Sequence, residues 1–165
     1  MIDWHVESAM LGPQAAEGFA ALDRVFALEG EWVAASPISD VVRVSFDGIA
    51  YYVKRYKGVR YDGADRLAAV RSLLAGSRVR REGRNLAAFA AWGVRTPPLV
   101  AYGEERRAGR FRRGAIVTRE AAGTVDLASL AAAGDARLRD RAWVAAVSAQ
   151  VAAFTRTLHA HGFAH

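Results

Sequence analysis

The sequence predicts an α+β fold: a five-stranded antiparallel sheet with helices placed before, between and after the strands. Three observations carry this. Asp47-Gly48 sits between two β-rich runs, 41–46 and 49–56, and an Asp-Gly pair supplies the positive φ angles of a two-residue hairpin turn. Two stretches after that hairpin, 64–74 and 78–92, repeat apolar residues at threes and fours, which is the helical period. Two further apolar runs, 99–103 and 114–118, flank a charged segment and read as strands returning to the sheet.

In chain order, residues 13–27 read as one amphipathic helix. Pro13 suits a first turn, Phe19, Leu22, Val25 and Phe26 recur at helical spacing, and Gly30 stops it. Residues 28–33 approach a first short strand, and 34–40 (Ala-Ala-Ser-Pro-Ile-Ser-Asp) is a turn-rich loop. In the strand 49–56, alternation puts Lys54 on one face with Ala50, Tyr52 and Tyr56, opposite Ile49, Tyr51 and Val53. A basic connector, 57–61, leads to the helix 64–74, which ends near Gly76; the next helix, 78–92, stops at Gly93. Thr96-Pro97-Pro98 forces extended chain before the fourth strand. Residues 104–113 read as an exposed hairpin loop, 114–118 as the fifth strand and 119–123 as a connector. Asp126 caps a short helix over 127–132. A long helix, 138–159, carries Trp143, Val147, Val151, Phe154 and Leu158 on one stripe.

A chain of 165 residues, 52% apolar and 24% charged, has enough material for a core and the composition of a globular protein. It has no cysteine, which excludes disulfides and thiolate chemistry. The N-terminus lacks a long apolar run, so a cytoplasmic protein is expected. The net charge of +6 suits an anionic partner: nucleotide phosphates, nucleic acid or an acidic membrane surface.

Of 23 basic side chains only two, Lys54 and Lys57, are lysines. Lysine is a compact point charge with rotatable donors, where arginine is a planar fork, and a strand lysine facing a cleft can grip the phosphates of ATP. The other reading is an edge-strand lysine that discourages aggregation. In the helix 78–92, Glu82 interrupts the stripe of Val79, Leu86, Phe89 and Ala90, which turns a carboxylate toward the sheet. A carboxylate buried there needs a cation, and Lys54 is the candidate; breaking a buried pair costs about 3–5 kcal/mol. Alternatively Glu82 only flanks the stripe and pairs with Arg78, one turn earlier.

Several segments carry a family resemblance. Residues 25–31 (Val-Phe-Ala-Leu-Glu-Gly-Glu), the run from Phe46-Asp47-Gly48 to Lys54-Arg55-Tyr56, Ser77-Arg78-Val79-Arg80-Arg81-Glu82, and 93–104 are four of them. Ile116-Val117-Thr118-Arg119-Glu120 and the closing 158–165 (Leu-His-Ala-His-Gly-Phe-Ala-His) complete the set. In order and spacing they resemble the bacterial lipopolysaccharide kinase family, the WaaP-type and Kdo-kinase-like enzymes, from about residue 19 to the end.

The resemblance implies a protein-kinase-like N-lobe over 1–118, an interlobe linker at 119–123 and the start of a C-lobe over 124–165. It implies an ATP- and Mg²⁺-dependent phosphotransferase acting on a heptose or Kdo hydroxyl of the lipopolysaccharide core or a lipid A–Kdo glycolipid, peripheral at the inner face of the inner membrane. Lys54 matches the lysine that holds the α- and β-phosphates and Glu82 its helix partner. Arg119, Glu120 and Ala121 match the linker that meets adenine, and Ser36 and Ser39 the loop over the phosphates. His165 matches the first residue of the catalytic-loop motif. The catalytic aspartate and the metal ligands are then expected beyond residue 165, so that the chain is an N-terminal half, inactive as given. The basic connector, with Lys57, Arg60 and Arg66, would meet the anionic glycolipid or lipid headgroups.

Two departures stand out: the loop 34–40 has no glycine, and Tyr52 stands where protein kinases carry a small residue. His159, His161 and His165 read as a helix end followed by a loop, with no nearby carboxylate to complete a metal site. A non-catalytic ATP-binding module is the alternative function. A basic nucleic-acid binder is a weaker one, since no helix-turn-helix, RNA-binding strand pair or zinc motif is present.

Overall fold

The computed structural model describes residues 1–58 and 77–163. Arg60, Tyr61, the helix expected at 64–74 with Arg66, and His165 lie outside the described residues. The chain forms two compact units, Met1–Ala87 with Pro97–Glu120, and Ala88–Thr96 with Ala121–His165.

The first unit is built on a sheet of six strands, all neighbours antiparallel. The strands are β1 (Ile2–Val6), β2 (Glu31–Ser36), β3 (Ser39–Phe46), β4 (Ile49–Lys57), β5 (Leu99–Arg107) and β6 (Arg110–Arg119), in the spatial order β1-β5-β6-β4-β3-β2. Five strands are expected from the sequence; β1 is the sixth. It pairs with β5 from Ile2 opposite Glu105 to Val6 opposite Ala101, and Trp4 Nε1 donates to the Phe19 carbonyl at 2.8 Å.

The Asp47-Gly48 turn forms as expected, with φ of 53° and 74°. Its neighbour in kind is less legible. Residues 104–113 are no loop: β5 and β6 continue to a two-residue turn at Ala108-Gly109, with φ of 49° and 76°. Cross-strand ion pairs make these charged arms into strands. Arg113 Nε lies 2.7 Å from Glu105 Oε2, and the buried Glu104 accepts from Arg106, Arg80 and the Ser77 hydroxyl. The loop expected at 34–40 likewise shrinks to a tight turn between β2 and β3.

One sheet face is covered by α1 (Pro13–Gly18) and α2 (Leu22–Ala27). The single helix expected over 13–27 is broken. Gly18, a poor helix former, closes α1, and Ala21 is extended at φ −146°, ψ 149°. The break still buries Phe19, Leu22 and Val25 against Val42, Val44, Tyr51, Val53 and Val117. At the border of this core the β3 residue Asp40 and the β4 residue Arg55 stand opposite one another and pair at 2.5 Å. Lys57 closes on the other Asp40 oxygen at 2.9 Å. The cation expected to meet a glycolipid thus has a partner within the sheet.

The opposite face meets α3 (Arg78–Ala91). Val79 packs there with Tyr56 and Ile116, flanked by Leu86, Leu99, Tyr102 and Phe111. Gly83 allows the approach: a Cβ at that position would sit 3.2 Å from the Tyr102 ring, so a larger side chain would push the helix outward.

The second unit takes the end of α3, where Gly93 closes the helix at φ 75°, together with α4 (Leu127–Ala132) and α5 (Arg141–Ala160). Asp126 caps α4 through the Ser129 amide at 2.8 Å. The long helix begins later than the 138 expected, because Ala136–Arg139 form a 3₁₀ turn and Asp140 caps α5 through the Ala142 amide at 2.9 Å. Trp92 stacks on His161 with ring centroids 4.3 Å apart, and Phe89 meets Phe163 edge-on at 4.8 Å.

Candidate functional site

On the α3 side of the sheet, β4 presents Tyr52, Lys54 and Tyr56 in a row, two residues apart, as strand alternation requires. Lys54 Nζ donates to both oxygens of Glu82, at 3.1 and 2.9 Å. Tyr56 donates its hydroxyl to Glu82 Oε2, and burial first, then this bond to the carboxylate, raises the phenol pKa well above its ordinary value. The ammonium also lies 5.1 Å from the Tyr56 ring centroid, within cation–π range. Glu82 therefore pairs with Lys54 and makes no ion pair with Arg78 among the described residues.

The pair is less buried than the sequence implies. The Lys54 side chain is 35% exposed and that of Glu82 37%, so its worth to folding is nearer the 0–1 kcal/mol of a surface pair, about, than the cost of breaking a buried one. Two of the three lysine N–H groups are taken up by Glu82, and a third remains for an anion. Beside it is a cavity of about 350 Å³ whose walls include Ser39, Arg78, Arg81 and Asn85, at the lower end of small-ligand sites, roughly 300–1,000 Å³.

At the other end of the row, Tyr52 donates to Glu120 Oε1 at 3.1 Å, and Arg43 grips both Glu120 oxygens, Nε to Oε1 and Nη2 to Oε2, each at 3.1 Å. Arg43 holds the Glu120 carboxyl below its usual range, with Tyr52 adding to the effect. Neither Arg43 nor the Tyr52–Glu120 bond was singled out by sequence reasoning, although the alternation that places Lys54 also places Tyr52.

Of the other residues singled out in the sequence, Ser36 and Ser39 flank the β2–β3 turn. Ser36 Oγ accepts from the amides of Ser39, at 3.1 Å, and Ile38, at 3.4 Å, and lies 3.1 Å from Ser39 Oγ. Arg119 ends β6, and its amide donates to the Pro98 carbonyl at 2.9 Å; the Glu120 amide donates to Ala50, also at 2.9 Å. Both N–H groups are used within the sheet. Ala121 belongs to the second unit, where its carbonyl accepts from the Thr124 amide at 3.3 Å and the Thr124 hydroxyl at 2.7 Å.

A strand lysine locked to a helix glutamate thus stands beside a cavity whose described walls carry two arginines. The chain belongs to the lipopolysaccharide kinase (Kdo/WaaP) family, whose model matches residues 24–165. Among solved structures it is similar to "WaaP in complex with acyl carrier protein", at 29% identity and a TM-score of 0.46, over 71% of this chain and 40% of that one. The chain thus spans less than half the length of that structure. No curated protein matches it.

Proposed function

We propose that this chain is the nucleotide-holding part of an ATP-dependent kinase that phosphorylates a sugar hydroxyl, heptose or Kdo, of the lipopolysaccharide core. The observation that carries the reading is the Lys54–Glu82 pair, at 2.9 Å on the α3 side of the sheet. Family membership over residues 24–165 supports it. In this reading 1–118 form a protein-kinase-like N-lobe, 119–123 the interlobe linker and 124–165 the start of a C-lobe, at the cytoplasmic face of the inner membrane.

The residues present fit the polyphosphate of ATP. Lys54 supplies charge to the α- and β-phosphates, while Glu82 fixes the direction of its ammonium and Tyr56 fixes Glu82. Arg119 and Glu120, with Ala121 next in the chain, take the linker's part toward adenine, and the Glu120 carbonyl would accept from a base amine. When bound, ATP supplies the phosphoryl group and Mg²⁺ screens its charge. Among the described residues no group of three or more His, Cys, Asp or Glu side chains could hold the metal, so none of them is assigned to it. Among the described residues, too, no helix is long and apolar enough to cross a membrane.

The test is transfer of phosphate from labelled ATP to deacylated lipopolysaccharide or Kdo-containing acceptors by the protein extended through the catalytic loop, with Lys54→Met in the same extended protein alongside. Transfer that disappears in the variant supports the proposal, and transfer at the wild-type rate overturns it. Calorimetry that shows ATP binding in a protein extended through the catalytic loop, with no transfer to any acceptor, would favour the non-catalytic nucleotide-binding module.

A further inference from the structure

The β2–β3 turn is where an anion-binding loop would offer backbone amides. Here the amides of Ile38 and Ser39 already donate to Ser36 Oγ. The cations lie elsewhere. Helix α3 carries arginines at 78, 80, 81 and 84. Arg80 turns away from the cavity and is bound to Glu104 and Asp3. Arg78 and Arg81 form walls of the cavity beside Lys54, and among the described residues neither has an ion-pair partner. Among the described residues Glu82 is the one carboxylate in the walls, against the three cations Lys54, Arg78 and Arg81, so the described walls carry a net charge of about +2 at neutral pH.

A pair of guanidinium groups with no carboxylate partner among the described residues, next to an oriented ammonium, fits one chemistry: a chain of phosphates too long for the lysine alone. We infer that Arg78 and Arg81 are a second anion subsite, gripping the distal phosphates of a nucleoside triphosphate in place of loop amides. Lys54 takes the proximal phosphates, so the inference rests on the nucleotide-holding reading above. Guanidinium forks match phosphate oxygens two at a time, which an amide-poor turn cannot do. Arginine on the helix therefore replaces backbone on the loop. Because the arginines ride on the helix that carries Glu82, one rigid element would set both the lysine and the terminal phosphate.

The experiment is calorimetric titration of wild type, Arg78→Ala/Arg81→Ala and Arg78→Lys/Arg81→Lys with AMP, ADP, ATP and inorganic tripolyphosphate. Circular dichroism and melting curves establish that each variant is folded. The expected result is that the alanine pair weakens ATP and tripolyphosphate by roughly 10- to 100-fold and leaves AMP unchanged, so the preference for ATP over AMP collapses. The lysine pair should restore part of it. Equal weakening of all three nucleotides, or no weakening of ATP, overturns the inference while the nucleotide-holding reading stands. Tripolyphosphate binding that depends on both arginines, with no gain from adenosine, overturns that reading and leaves the anion subsite. Failure of wild type to bind any of the four overturns both.

Discussion

Lys54 and Tyr56 share one carboxylate oxygen: Glu82 Oε2 accepts from the lysine Nζ at 2.9 Å and from the tyrosine hydroxyl. Two side chains two residues apart on β4 thus fix a single rotamer on α3. The lysine brings charge and the tyrosine brings rigidity, and the two roles can be separated.

Lys54→Met should act on ligand and not on fold. With the pair more than a third exposed on the glutamate side, at 37%, its loss should lower Tm by no more than about 4 °C. ATP affinity should fall at least about 10-fold, the scale of one charge-assisted phosphate contact. Scanning fluorimetry and calorimetry on the same preparation give both numbers. A large drop in Tm with unchanged affinity would make the pair structural.

Tyr56→Phe keeps the ring against Val79 and Ile116 and removes only the hydroxyl. Leaving a Glu82 oxygen with one donor fewer should cost about 1 kcal/mol of stability. The loss of ATP affinity should be smaller than that of Lys54→Met. Because burial and Glu82 push the phenol pKa upward, the hydroxyl stays protonated and binding by wild type should show no titration of this group between pH 6 and about 10. A tyrosinate absorbance change from Tyr56 in that window would contradict the geometry.

Asp40 gives the pH dependence. Burial raises its pKa, but the bonds from Lys57 and Arg55 outweigh this and leave it below the ordinary value. A depressed carboxylate stabilises the fold fully above its unfolded pKa, about 3.9, and that stability is lost as pH falls through the lower folded value. Asp40→Asn leaves the Arg55 side chain, only 10% exposed, without its counter-charge. At pH 7 the cost should be about 3–5 kcal/mol, roughly 6–20 °C in Tm. Melts from pH 7 to 2 should show the gap between wild type and variant constant down to about pH 4 and closing below it. A gap that widens in acid would reverse the assignment.

Gly103→Ala tests the sixth strand. A Cβ at 103 would strike the Asp3 carbonyl across the β1–β5 ladder. The substitution should cost about 1–3 kcal/mol and release β1 locally. Hydrogen exchange over residues 2–6 should accelerate and Trp4 emission should shift to the red, while β3 and β4 stay protected. Uniform acceleration across the sheet would mean that β1 is integral to the whole unit.

Much of this was legible in the sequence where pattern and chemistry coincide. The Asp47-Gly48 turn, the alternation along 49–56 and the helix stripe around Glu82 are local signals, and together they bring Lys54 to Glu82. The β5–β6 hairpin was not legible, because its turn is Ala108-Gly109, with a non-glycine residue at positive φ, and its arms are charged. Opposite charges standing across a ladder look, along the chain, like a solvated loop. β1 carried a readable alternation, Ile2, Trp4 and Val6, but a five-residue strand at the very start has no flanking turn to mark it. Arg43 and Asp40 were missed because their partners, Glu120 and Arg55, are neighbours only once the strands pair. The exposure of the Lys54–Glu82 pair depends on how α3 sits over the sheet, and no helical period reports that.

The Ser36-capped turn has a consequence in entropy. Fixing a backbone residue costs on the order of 1–2 kcal/mol, and the residues between β2 and β3 bear that cost when the sheet forms, through the Ser36 bonds to Ser39 and Ile38. A flexible loop would bear it on each ligand encounter, and its affinity would be reduced accordingly. In the nucleotide-holding reading proposed above, a ligand would meet this turn in the shape it already has. Association should therefore follow a single exponential, with a rate governed by charge and screened by salt.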